Sequence, residues 1–167
     1  MMWVGISLRF LWLTEHMALT ATDRLAGINA FAAFAAREDF ASGVPPRVLQ
    51  RMLRGLSVTP EKVLADFYNL CGAPVTVATP CVPNLRTGLD DLQKGDVRPI
   101  LASRAGQCSV LAARHDPVVS SSMTQDSFAG RATVLWEDGG HMLPQTHVQT
   151  CVAFLQAVRS SMEQDAR

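Results

Sequence analysis

The 167-residue chain has no uninterrupted apolar run near the ~18 residues that a membrane span requires, so a membrane partner is not expected. It has no net charge either. Fifteen basic side chains stand against fifteen acidic ones, and without a global field nucleic acid is not an expected partner. The four cysteines, Cys71, Cys81, Cys108 and Cys151, form no C-x-x-C and have no histidine at ligand spacing, which argues against a metal site. They read most simply as reduced thiols of a cytoplasmic chain, with a Cys71–Cys81 disulfide as the one pairing left open. The apolar stretch from Trp3 to Leu13 has no basic residues ahead of it and carries Arg9 in its middle, unlike the core of an export signal. There is no internal repeat and no low-complexity tract. What is present is a chain 48% apolar and 18% charged, one globular domain able to bury roughly 70% of its unfolded surface.

Four segments read as strands: 2–6, one within Leu25 to Phe34, 108–113 and 132–136. Alanine and glycine among Leu25 to Phe34 suit a central parallel strand covered on both faces. Residues 10–18 read as a short helix, 121–128 as a polar one, and 147–162 as a terminal helix burying Val148, Cys151, Val152, Leu155 and Val158. Between the second and third strands the text changes. Pro45-Pro46 opens a helix through Leu56 with Val48, Leu49, Met52 and Leu53 inward. Thr59-Pro60-Glu61 starts another, with Thr59 as its N-cap and Val63, Leu64, Phe67, Tyr68 and Leu70 on its buried face. Residues 71–83 read as loop, Leu85 to Leu92 as a third helix, and 95–99 as the return to the sheet. The expected organisation is therefore α/β: core pieces at 1–36 and 100–167, separated by a helical cap insertion at 37–99.

Three residues stand just beyond apolar strands. Trp3-Val4 runs into Gly5-Ile6-Ser7-Leu8-Arg9, Val110-Leu111-Ala112-Ala113 into Arg114-His115-Asp116-Pro117, and Val134-Leu135-Trp136 into Glu137-Asp138-Gly139-Gly140-His141. The glycines beside His141 are expected to supply backbone angles that other residues resist. Singly, each has an ordinary explanation: Ser7 as a helix cap, Asp116 as an Asp-Pro turn residue, His141 as a loop histidine. Together they fall in the order serine, acid, histidine at the ends of parallel strands, which delivers all three to one edge of a sheet. A serine hydroxyl becomes nucleophilic when an imidazole accepts its proton, and the imidazole needs a carboxylate to fix its tautomer. The expected roles are Ser7 as nucleophile, His141 as base and then acid, and Asp116 as the residue orienting His141. The backbone N–H of Leu8 is the expected oxyanion donor. His115 lies one residue early, and His16 and His147 read as surface residues on helical text.

These same stretches, with Gly139-Gly140-His141-Met142-Leu143-Pro144, resemble the α/β-hydrolase superfamily. The helical insertion and Arg98 at its return look most like the pimeloyl-[acyl-carrier protein] methyl ester esterases of biotin synthesis. The resemblance spans nearly the whole chain but only the C-terminal half of that fold: about four parallel strands flanked by helices, with a helical cap. It implies cleavage of a carboxylic methyl ester, small or carried on an acyl-carrier protein, with no metal or cofactor. A basic stripe in the cap, Arg47, Arg51 and Arg54 with Lys62 nearby, reads either as an ordinary solvated helix face or, since the carrier proteins of the resembling family are acidic, as a dock for an acidic partner. The pattern departs from the family at two places. Arg9 replaces the last glycine of G-x-S-x-G and is expected to distort the turn. The strands that precede the elbow in the family, and the loop giving a second oxyanion N–H, have no counterpart in the text. An uncovered edge strand then predicts self-association. The alternative reading is a non-catalytic one: a truncated, inactive hydrolase fragment, or a protein that binds a partner through that edge.

Overall fold

Two apolar layers, one on each face of a parallel sheet, dictate how the chain is laid out. The computed structural model describes residues 1–74 and 79–165. Its elements in chain order are β1 (Met2–Ile6), α1 (Leu8–His16), β2 (Arg24–Ile28), α2 (Pro46–Leu56), α3 (Pro60–Cys71), α4 (Val82–Lys94), α5 (Arg98–Ala102), β3 (Cys108–Ala113), α6 (Ser121–Phe128), β4 (Thr133–Glu137), α7 (Leu143–Thr146) and α8 (Val148–Asp165). The strands pair in parallel in the order β1-β2-β3-β4. Side chains alternate along them as the pleat requires. Leu25, Val110 and Ala112 join one layer with Phe10 and Leu11 of α1 and Met123 and Phe128 of α6. Ala26, Ile28, Leu111 and Ala113 join the other with Cys151, Phe154 and Val158 of α8. Burying both faces of β2 and β3 makes these two strands continuous apolar text. Outer strand β1 is less covered, with Val4 39% and Ile6 42% exposed.

The helical segment between β2 and β3 forms the cap. Pro46, Pro60 and Pro83 each stand in the first turn of a helix, where a missing N–H costs nothing. The cap's two roots are fastened by charge. Arg98 Nη2 meets Asp96 at 2.6 Å and Asp39 at 2.8 Å, Arg37 Nη1 meets Asp96 at 3.3 Å, and the Arg98 guanidinium lies 4.9 Å from the Phe40 ring centre.

Several sequence expectations need correction. The second strand stops at Ile28, because Asn29 turns to φ 45° and leaves the sheet; Ala30 to Phe34 are buried loop. The return over 95–99 runs into a short helix that the sequence reading did not separate, Arg98–Ala102. In α8 the covering side chains are Cys151, Phe154 and Val158, whereas Val148 and Val152 are 49% and 43% exposed. Val48 and Leu70, assigned to buried stripes in the cap, are exposed: α2 sends Leu49 and Leu56 and α3 sends Cys71 into the core, and neither Val48 nor Leu70 lines the cavity. Thr59 occupies the N-cap of α3 but its hydroxyl makes no capping bond. All four cysteines are free thiols. Of the segment read as loop over 71–83, Cys71 belongs to α3 and α4 opens at Val82; residues 75–78 and the final two, 166–167, lie outside the described residues. Among the described residues, no helix is long and apolar enough to cross a membrane.

Candidate active site

Ser7 sits where β1 ends and α1 begins. Its backbone has φ 51° and ψ −129°, a region that costs a non-glycine residue energy and is held here by its neighbours. One restraint is the Ser7 N–H, which donates to Ile28 O at 3.1 Å. Although Ser7 occupies the N-cap position, its hydroxyl makes no capping bond, so the ordinary role for a serine there is not the one it plays. Leu8 is the first residue of α1, where a backbone N–H has no intrahelical acceptor and is free to face a ligand. Arg9 does not distort the turn as expected: the helix starts on time and the Arg9 side chain is exposed. The close approach of helix to strand occurs instead at Gly5, where an added Cβ would lie 2.4 Å from Phe10 Cα and 2.6 Å from Phe10 N.

Asp116 and His141 come together from loops after β3 and β4. His141 Nδ1 and Asp116 Oδ2 are 2.7 Å apart, with side chains 7% and 1% exposed. The other carboxylate oxygen, Oδ1, accepts from Val118 N at 2.7 Å and Val119 N at 2.9 Å, which fixes the plane of the group. With Nδ1 donating to the carboxylate, the neutral ring leaves Nε2 as the acceptor. Gly139 and Gly140 do not adopt positive φ, contrary to the reading of that loop. Gly139 provides room: a Cβ there would lie 2.6 Å from Leu143 Cδ2. His115 is exposed, and His16 is exposed against Trp12.

A cavity of about 430 Å³ opens between the cap and the carboxyl edge of the sheet. Ser7, Leu8 and His141 line its base, and cap side chains such as Met52, Leu56, Phe67 and Leu85 line its walls. No direct hydrogen bond joins Ser7 to His141 among the described residues, although both line the cavity, and catalytic hydrogen bonds often tighten only once substrate is bound. Cys71 also borders the cavity; burial, helped by the negative charge of Asp116, pushes its thiol up to about 11. Arg47, Arg51 and Arg54 are exposed on α2 and make no ion pair among the described residues, whereas Lys62 pairs with Asp66 at 3.0 Å. Among the described residues no group of His, Cys, Asp and Glu is arranged to hold a metal ion.

Asn29 was missed from sequence. It is 1% exposed and donates from Nδ2 to the carbonyls of Gly140 and His141 at 3.0 and 2.9 Å, while Oδ1 accepts from Ala113 N at 2.8 Å. The available signal was an asparagine closing an apolar strand, since asparagine tolerates positive φ better than most residues.

No protein-family model and no curated protein sequence matches the chain. Solved structures do. A bromoperoxidase from Bacillus anthracis superposes with a TM-score of 0.74 at 14% identity, over 93% of this chain and 67% of its own. An esterase from Exiguobacterium antarcticum gives 0.75 at 14% identity, over 93% and 65%. BioG from Haemophilus influenzae gives 0.57 at 15% identity, over 84% and 66%. The chain thus spans about two thirds of the length of the structures it matches. At such identities the likeness speaks for the fold, and the parallel sheet with flanking helices and an inserted cap is the C-terminal part of an α/β-hydrolase fold.

Proposed function

We propose that this chain carries the catalytic residues of a serine ester hydrolase, with Ser7 as nucleophile, His141 as general base and acid, and Asp116 as its orienting carboxylate. The observation that carries this reading is the buried 2.7 Å His141–Asp116 pair at the base of the cavity that the strained Ser7 also lines. In the reaction, Ser7 Oγ attacks the ester carbonyl carbon as its proton passes to His141 Nε2. The Leu8 N–H donates to the oxyanion, the alcohol departs with the proton from Nε2, and water repeats the sequence on the acyl-serine. Apolar cavity walls favour an aliphatic acyl group over a charged one. The test is covalent: a fluorophosphonate should label the chain at Ser7, and Ser7→Ala or His141→Ala should abolish labelling. An unlabelled, folded wild-type chain refutes the reading.

A finer proposal concerns substrate. A carboxylic methyl ester on an acyl-carrier protein, as in biotin synthesis, combines an apolar chain for the cavity with an acidic carrier for the cap. Support comes from Arg47, Arg51 and Arg54, exposed and without ion pairs among the described residues. Such a stripe mainly raises association rate and makes binding salt-sensitive. Reversing all three to glutamate should slow association of an acidic carrier protein and weaken its binding while leaving fluorophosphonate labelling intact; unchanged binding rejects the dock. One observation favours a second reading, a non-catalytic protein that binds a partner along β1: Val4 and Ile6 are exposed there.

A further inference from the structure

Asn29 joins three pieces of backbone that the site needs in register. It ends β2, its Oδ1 holds Ala113 at the end of β3 three residues before Asp116, and its Nδ2 holds the carbonyls on either side of the Gly140–His141 bond. Its own N–H donates to Leu111 O at 2.9 Å, so the side chain is anchored at its root. Both amide hydrogens and the amide oxygen are used, and none reaches solvent. The residue also sits at φ 45°, a strained conformation retained where surrounding bonds over-determine it. A buried amide serving only the core would need to satisfy whatever backbone lay nearest. This one satisfies the strand end that leads to the acid and the loop that carries the base.

From this geometry we infer that Asn29 is a positioning residue: it fixes the His141 loop against the end of β3, and so sets the imidazole on Asp116 and turns Nε2 toward Ser7. The inference rests on the proposed roles of Ser7, His141 and Asp116. Asn29 touches no substrate and exchanges no proton. Its effect passes through the carbonyls of Gly140 and His141, whose displacement by about 1 Å is enough to cost on the order of 100-fold in a reaction that depends on near-attack geometry.

Two substitutions separate this role from bulk stability. Asn29→Gly removes the amide but accepts the positive φ without strain. Asn29→Asp keeps the shape and the acceptor for Ala113 N but replaces both donations with lone pairs facing carbonyls. Ser127→Ala is the comparator, since Ser127 Oγ accepts from Ala32 N at 3.2 Å and is equally buried, but in a contact away from His141. Two readouts are taken on the full chain: the rate of Ser7 labelling by a fluorophosphonate, and the His141 ring resonances, including the far-downfield Nδ1 proton. Both Asn29 variants are expected to slow labelling about 10- to 100-fold and to lose the Nδ1 proton signal, with Ser127→Ala at matched loss of stability unchanged in both. If the Asn29 variants and Ser127→Ala behave alike, the positioning role is overturned and Asn29 is a core amide. If the wild-type chain is not labelled, the hydrolase reading fails; the resonances then decide Asn29 alone, and an Nδ1 proton that persists in both variants overturns its role.

Discussion

Replacing Gly5 with alanine should damage this protein more than replacing Arg9 with glycine. A Cβ at Gly5 would stand 2.4 Å from Phe10 Cα, 2.6 Å from Phe10 N and 2.9 Å from Phe10 Cβ, all far inside contact distance. These atoms belong to the backbone and root of α1, so no rotamer change relieves the clash and the helix must move off the strand. Phe10 is fully buried and packs edge-on to Phe128 at 5.7 Å between ring centres, so that movement also disturbs the layer beneath α1. Overpacking of this kind costs about 1–3 kcal/mol and sometimes more. For a chain of this length each kcal/mol lowers the unfolding midpoint by roughly 2–4 °C, giving a fall of about 2–12 °C. Arg9→Gly, at an exposed position of the first helical turn, should lose at most the helix propensity difference of about 1 kcal/mol. Thermal unfolding followed by circular dichroism on both variants decides the matter. Equal midpoints, or a greater loss for Arg9→Gly, would refute the claim that the strand–helix approach is made at Gly5.

The exposed Val4 and Ile6 on β1 predict dimers or larger species by sedimentation, reduced by Ile6→Lys; a monodisperse wild-type monomer with sharp, cooperative unfolding counts against this. Cys81 is exposed and should react with iodoacetamide at pH 8 far sooner than Cys71. With its thiol raised to about 11, only about one Cys71 in a thousand is thiolate at that pH, and comparable rates would disprove the burial argument. In the cap clasp, burial raises the Asp96 carboxyl, but hydrogen bonds and charge from Arg98 and Arg37 outweigh it and hold the group below the usual carboxylate range. Its stabilising contribution is therefore complete above the ordinary carboxylate pKa and is lost as pH falls toward the lowered one. The stability gap between wild type and Asp96→Asn should close on acidification, and a gap constant with pH would rule the clasp out as its source.

The parts of the fold legible in sequence are those where local chemistry and burial agree. Cys108–Ala113 reads correctly as a strand because six small or apolar residues are bounded by polar text, and it proves to lie at the sheet's centre. Ser121–Phe128 reads correctly as a helix; its cap, Ser120, whose hydroxyl accepts from Met123 N at 3.2 Å, is seen only in the structure. Serine, acid and histidine were legible as candidates because parallel strands bring their ends to one edge whatever lies between them. Burial without pairing was not legible. Ala30 to Phe34 are as apolar as the strand before them, yet they are covered by the cap and α6 instead of joining the ladder, so composition alone could not end β2 at Ile28. Exposure in the cap was hidden for the converse reason: Val48 and Leu70 continue an apolar stripe, but only part of that stripe, such as Leu49 and Leu56 of α2, reaches the core. Asn29 was the least legible of all, since the partners that define it lie 84 and 112 positions away. A buried amide is informative about a site only once the loops it holds are known, and those loops meet only when the sheet has formed.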